Sequence, residues 1–151
     1  MRVVPRSDRP PLHHTLRAVP TAALAAVAAG GVLGSLARYA LQLAFPSRPD
    51  AFDLATFLAN VLGGVCIGAL MAVLTETTRH PLLRPFLGIG ILGGFTTFST
   101  YVVGVARALD AGEAALAFGY GLATVAAALA AVAAAFYATR LLLRRRRGGA
   151  A

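Results

Sequence analysis

Residues Gly93–Tyr101 read GGFTTFSTY, and they lie inside a long apolar run. Two adjacent glycines followed by hydroxyls at Thr96, Thr97, Ser99 and Thr100 are poor material for a helix in oil. Glycine costs a helix interior about 1 kcal/mol relative to alanine, and short hydroxyl side chains compete for backbone hydrogen bonds. Irregular backbone at membrane depth survives only where protein or a wet cavity satisfies its polar groups. The stretch therefore predicts a break at the centre of a spanning helix, beginning at Gly93-Gly94. A break frees carbonyl oxygens, and oxygens gathered at one point suit a hard cation such as sodium. Beyond it, Phe98 and Tyr101 share one helical face. Aromatic rings have electropositive edges, so these edges with neighbouring hydroxyls suit a small, partly dehydrated anion. Ordinary aromatic packing with hydroxyls bonded back to the helix is the competing reading.

The surroundings make the membrane setting plain. Of 151 residues, 58% are hydrophobic and 13% charged, with mean hydropathy +0.71. A soluble domain of this size needs more polar surface. The formal net charge of +8 comes from fourteen arginines and no lysine. Those arginines flank apolar segments instead of clustering among aromatics on a soluble face, which argues against nucleic acid as a partner. The single cysteine, Cys66, rules out an internal disulfide and reads as a small core hydrophobe.

Roughly 20 apolar residues cross a bilayer as a helix, and four segments qualify: 20–45, 54–75, 82–109 and 113–140. They form one membrane domain, 20–143, between a polar, disordered N-terminal tail (1–19) and a basic C-terminal tail (144–151). A cleaved signal peptide over residues 1–30 is a weaker reading, because the apolar run continues to Phe45. His13 and His14 read as solvated. With four spans, both termini and the middle loop share a side. That side carries Arg2, Arg6, Arg9, Arg17, Arg79, Arg84, Arg140 and Arg144 through Arg147, against Arg48 and Arg107 opposite. The positive-inside rule places both termini in the cytoplasm of a multi-pass plasma-membrane protein.

Gly30 and Gly34 on the first span, and Gly64 and Gly68 on the second, have the spacing that lets helices approach closely in lipid. Asn60 lies on the same face as Gly64 and Gly68. A mid-span amide either bonds neighbouring helices or lines a polar path. Arg38, the one formal charge well inside a span, either snorkels or sets a positive potential at the mouth of an anion route. Residues 88–93 match GxGxxG, but no βαβ pattern surrounds them, so no dinucleotide site follows.

Four pieces, GGVLGSLARY (30–39), ATFLANVLGG (55–64), GILGGFTTFST (90–100) and YGLAT (120–124), resemble the Fluc-type (CrcB) fluoride channel family in order and spacing. The resemblance implies an all-α membrane protein, its third helix broken, assembled as an antiparallel dual-topology dimer. It implies passive fluoride export that lowers toxicity, two pathways, and a structural, untransported sodium ion at the dimer centre. It would place sodium on the carbonyls of Gly93 and Thr96. The fluoride path would be formed by Asn60, Phe98, Thr100, Tyr101, Tyr120 and Thr124, with Arg38 at a vestibule. No catalysis is implied. The chain departs from the family pattern at Ser35, Ala55, Val102 and Gly104, and at Tyr101, where a second phenylalanine is usual.

Dual insertion calls for weak arginine asymmetry, and this chain has strong asymmetry. It therefore reads as inserting one way and pairing with an oppositely oriented paralogue, as a non-conducting or half-site subunit; pairing with itself is the other reading. A small multidrug-type transporter would need a mid-span acid, and none of the six acids lies there. A non-conducting scaffold would explain the glycine faces but not the polar third span.

Overall fold

The computed structural model describes residues 20–48, 50–76 and 81–148. The expected N-terminal tail, His13, His14 and most of the 77–81 connection lie outside them. The described chain is helical: α1 (Thr21–Ala44), α2 (Leu54–Glu76), α3 (Arg84–Leu92, continuing through Gly93–Phe95), α4 (Ser99–Asp110) and α5 (Ala114–Gly148). Four spans are long and apolar enough to cross a membrane, with α3 and α4 together making the third. The chain is an all-α, multi-pass membrane protein.

Local chemistry sets the helix limits. α1 follows Pro20, and it stops at Phe45 (φ −129°, ψ 76°), because the residue before Pro46 is pushed out of the helical region. α2 is capped by Asp53, whose carboxylate accepts the Thr56 N–H at 3.0 Å. This satisfies one of the orphan amides of the first turn. α4 ends in a tight turn at Gly112, with φ +80°, a left-handed position that glycine takes without a steric penalty. α5 continues unbroken through Arg144–Arg147 to Gly148, where the sequence had suggested the start of a separate tail. Successive arginines are good helix formers, so nothing stops the helix at Leu143.

α3 is wound as a π-helix over Arg84–Leu92, and this wide winding suits its partner. α1 packs along α3, and α2 packs along α5. A Cβ on Gly30 would overlap the Phe86 carbonyl and lie 2.9 Å from the Ile91 nitrogen; one on Gly34 would overlap the Ile91 carbonyl. Phe86 and Ile91 are five residues apart, the repeat of a π-turn. On the other pair, a Cβ on Gly64 would fall 2.8 Å from the Ala128 carbonyl, and one on Gly68 would overlap that of Val132. Both glycine pairs are thus sites of close helix approach, as their spacing suggests. The core is correspondingly made of small side chains, including Ala55, Ala59, Ala72, Ala108 and Ala117. Cys66 is exposed on the outside of α2, a correction to its reading as a core residue. Two residues from both Gly64 and Gly68, it falls on the side of the helix opposite the face packed on α5.

Between α3 and α4 the helical pattern lapses at Thr96, Thr97 and Phe98. Gly93 and Gly94 are themselves helical, and the chain turns extended only at Thr96 (φ −78°, ψ 158°). Gly94 serves instead to approach α1, since a Cβ there would meet the Gly31 carbonyl at 2.6 Å. The lapse lets the third span change neighbours, with α3 lying on α1 and α4 on α5.

Candidate functional site

Where helical bonding lapses, α2 supplies the substitute. The Asn60 side-chain N–H donates to the Thr97 carbonyl at 3.1 Å, and the Thr97 N–H donates to Asn60 Oδ1 at 2.9 Å. One amide side chain thereby satisfies both polar groups of a residue that has left the helix. The Thr97 hydroxyl receives the Thr100 N–H at 3.1 Å and lies 3.0 Å from the Thr100 hydroxyl. The Thr96 hydroxyl donates back to the Leu92 carbonyl at 2.9 Å. Gly63 makes room for this, because a Cβ on it would overlap the Thr96 methyl group.

The diverted amides leave carbonyls behind. The Thr97 N–H, which in an unbroken helix would reach the Gly93 carbonyl, is held by Asn60. Among the described residues no backbone bond to that oxygen is formed. The Thr96 carbonyl leaves the helical direction and faces Arg38 Nη1 at 3.5 Å. Half-buried Arg38 on α1 is therefore brought to the lapse itself.

Beside this splint opens a cavity of about 350 Å³, lined by Asn60, Thr96, Thr97, Phe98, Tyr101 and Thr124 and walled by the apolar side chains of α5. Phe98 stands at its rim and is 75% exposed on the isolated chain. The Phe98 and Tyr101 rings lie 5.7 Å apart and are tilted by 45°. The Tyr101 hydroxyl donates to the Gly121 carbonyl at 3.3 Å, which ties α4 to α5. Thr124 donates its hydroxyl to the Tyr120 carbonyl at 2.7 Å, so that proton is committed within α5.

Thr100 and Tyr120 line a second, smaller space of about 20 Å³, together with Arg48, Asp53, Gly104 and Arg107. The structure thus divides the sequence-derived residues. Asn60, Phe98, Tyr101 and Thr124 share the larger cavity, whereas Thr100 and Tyr120 line the smaller one. Thr100 joins the two groups through Thr97, and the Tyr101 and Tyr120 rings join them with centroids 5.8 Å apart. The Tyr120 hydroxyl is buried beside the hydroxyls of Thr56 and Thr124, although neither it nor the Thr56 hydroxyl makes a hydrogen bond of regular geometry among the described residues. Tyr120 is also held by Phe52, edge-on at 5.1 Å and 89°.

Sequence reasoning had placed Thr97 in the expected break without giving it a partner, and had not singled out Asp53 or Gly63. The Asp53-to-Thr56 spacing is a recognisable helix-start signal, and the Gly63-Gly64 doublet marks close approach. Thr97 gave no signal separating it from its neighbour Thr96. At the opposite end of the molecule Glu76 binds Arg140 Nε and Arg147 Nη1, each at 3.1 Å.

Comparison with known proteins gives one family. The profile described as "CrcB-like protein, Camphor Resistance (CrcB)" matches residues 25–136. A protein of Thermobifida fusca named fluoride-specific ion channel FluC 2 is 56% identical over 98 residues, covering 62% of this chain and 73% of the relative. Another FluC 2, of Nocardia farcinica, is 48% identical over 109 residues, with 72% and 78% covered. The FluC of Desulfotalea psychrophila is 41% identical over 101 residues, with 67% and 79% covered.

Proposed function

The chain belongs to the CrcB-like family, and from that premise we propose that it is a passive, fluoride-specific channel subunit that lets fluoride leave the cell. The family's named relatives are ion channels, and the chain is not an enzyme. One observation carries the reading furthest. Asn60 engages Thr97 with one N–H at the wall of a cavity rimmed by Phe98 and Tyr101. An amide nitrogen has two N–H groups. The second, with the positive ring edges, offers a small anion a partial replacement for its water shell. Tyr120 and Thr100 extend the path toward the end of the molecule where Arg48 and Arg107 lie. Arg38 biases the middle of the route toward negative ions.

The carbonyls of Gly93 and Thr96 suit a structural sodium ion. Both are hard oxygen donors at the lapse; the Gly93 oxygen is free of backbone bonds among the described residues, whereas the Thr96 oxygen faces Arg38 Nη1 at 3.5 Å, a long contact that sodium would have to displace. They are too few to surround a cation alone, so a second subunit would supply the remainder. Bound there, sodium would provide fixed positive charge and hold the two lapses together.

The assembly we favour is antiparallel, with a paralogue of opposite orientation as partner. Glu76, Arg140 and Arg147 cluster at one end and Arg48 and Arg107 at the other, which supports the strong charge bias read from the sequence. The arginine-rich end, with both termini, would face the cytoplasm. Pairing with an inverted copy of itself is the second reading.

Fluoride efflux from proteoliposomes, measured with this chain alone and with a paralogue, tests the proposal. Rapid efflux of fluoride with chloride retained is expected. Absence of fluoride flux in both preparations would favour a scaffold. A multidrug-type exchanger finds no support, since Asp50, Asp53, Glu76, Asp110 and Glu113 all lie at span ends or in turns.

A further inference from the structure

α5 is too long for the membrane it crosses. Its 35 residues extend about 50 Å at about 1.5 Å per residue, against a hydrocarbon core of roughly 30 Å. The excess can be placed, because α2, with 23 residues, is about 35 Å long and ends at Glu76. Glu76 therefore marks the edge of the hydrocarbon. Arg140 and Arg147 both reach it, each at 3.1 Å, so its level on α5 falls between them. Leu141 and Leu142 therefore lie just inside the hydrocarbon edge, and α5 from about Arg144 onward lies in the headgroup zone, which adds several ångströms on each side of the core.

From Arg140 onward the helix has two distinct faces. At about 100° per residue, Arg140, Arg144 and Arg147 fall on the side of Glu76. Leu141, Leu142, Arg145 and Arg146 fall on the side away from it. The Glu76 carboxylate is shared by Arg140 and Arg147, and Arg147 also donates to the Glu76 backbone carbonyl. The far face is open: Leu141 is 51% and Leu142 60% exposed. Arg145 and Arg146 are exposed and have no ion pair among the described residues. Each arginine sits one helical turn beyond a leucine, so an apolar side chain lies at acyl depth beneath a guanidinium at phosphate depth. Glu76 is already taken, so among the described residues no acid pairs with this face.

We propose that the far face of the α5 extension is a docking surface for anionic phospholipid headgroups of the surrounding membrane. Leu141 and Leu142 lie against acyl chains, and Arg145 and Arg146 hold the phosphates. Guanidinium groups pair with phosphate through two parallel N–H donors, and juxtamembrane basic clusters favour acidic leaflets. The leucines select a lipid over a soluble phosphate.

The test is native mass spectrometry of the full chain in detergent, with phosphatidylglycerol or phosphatidylcholine added. Wild-type protein should retain phosphatidylglycerol preferentially. The double variant R145Q/R146Q should lose that preference, by about fivefold per arginine and about twenty-five-fold for the pair. R140Q should keep the preference while lowering the thermal midpoint, since it breaks the contact with Glu76. Excess inorganic phosphate should not displace the lipid. Equal retention of the two lipids, an unaltered preference in R145Q/R146Q, or displacement by inorganic phosphate would overturn the proposal. The thermal midpoint of R145Q/R146Q should match wild type, which separates lost docking from lost folding.

Discussion

Asn60 grips one peptide unit from both sides, and its replacement separates support from conduction. Asn60→Ala would leave the Thr97 N–H and carbonyl without partners, at a cost of about 2 kcal/mol or more. The expected result is a lowered thermal midpoint in detergent together with lost fluoride efflux. Asn60→Asp keeps an acceptor for the Thr97 N–H but adds a negative charge facing the cavity. Its midpoint should lie between those of Asn60→Ala and wild type, with efflux equally lost. The Tyr101 hydroxyl is a different case. It departs from the family pattern, but its bond to the Gly121 carbonyl makes it a tie between α4 and α5. Tyr101→Phe should cost about 1 kcal/mol or less and leave efflux near wild type; a collapse of efflux would show that the hydroxyl itself meets the ion. Asn60 and Tyr101 stood out in the sequence because a mid-span amide and a tyrosine among hydroxyls are conspicuous. What each one touches was not legible, because hydrogen-bond partners 37 and 20 residues away depend on how the helices pack.

At the scale of helices, the sequence placed the irregular stretch at Gly93-Gly94 followed by Thr96-Thr97, and of these it is Thr96 and Thr97 that leave the helix. Glycine is flexible, so Gly93-Gly94 looked like the weak point. In the fold Gly94 is helical and valuable for its missing side chain, and the chain departs from helix where Asn60 can receive it. The same distinction predicts how two nearby glycines of α1 differ. A Cβ on Gly34 would overlap the Ile91 carbonyl, whereas one on Gly31 meets nothing within 4 Å. Gly34→Ala must therefore push α1 away from α3 and should cost about 1–3 kcal/mol. Gly31→Ala should be neutral or stabilising by up to about 1 kcal/mol. Thermal unfolding of the two variants side by side checks this, and similar losses in both would contradict the packing described. The π-winding of α3 was invisible to periodicity analysis, because glycine and apolar residues on all faces leave no stripe by which to measure a repeat.

Over the whole molecule, four spans, their order and the two charged ends followed from apolar length and arginine placement. The pairing of α1 with α3 and of α2 with α5 did not, since every span offers small residues. Glu76 also escaped notice, as a lone acid at a helix end. Glu76→Gln would leave Arg140 and Arg147 facing a neutral amide. The contact is partly exposed, so a loss of about 1 kcal/mol is expected, weakening further at high salt. Orientation is checked by protease digestion of epitope tags at each terminus in sealed vesicles. Protection of both tags from outside is the expected outcome of one-way insertion. Equal cleavage from both membrane faces would instead support a self-paired, two-way assembly.

The outward placement of Cys66 has a practical corollary. It sits near the midpoint of α2, so inverting the polypeptide across the bilayer leaves its depth almost unchanged. A nitroxide carried on this sole thiol would report nearly the same immersion whichever way up the protein lies. Any depth change on adding halide would then register motion of the helix, free of contributions from mixed insertion.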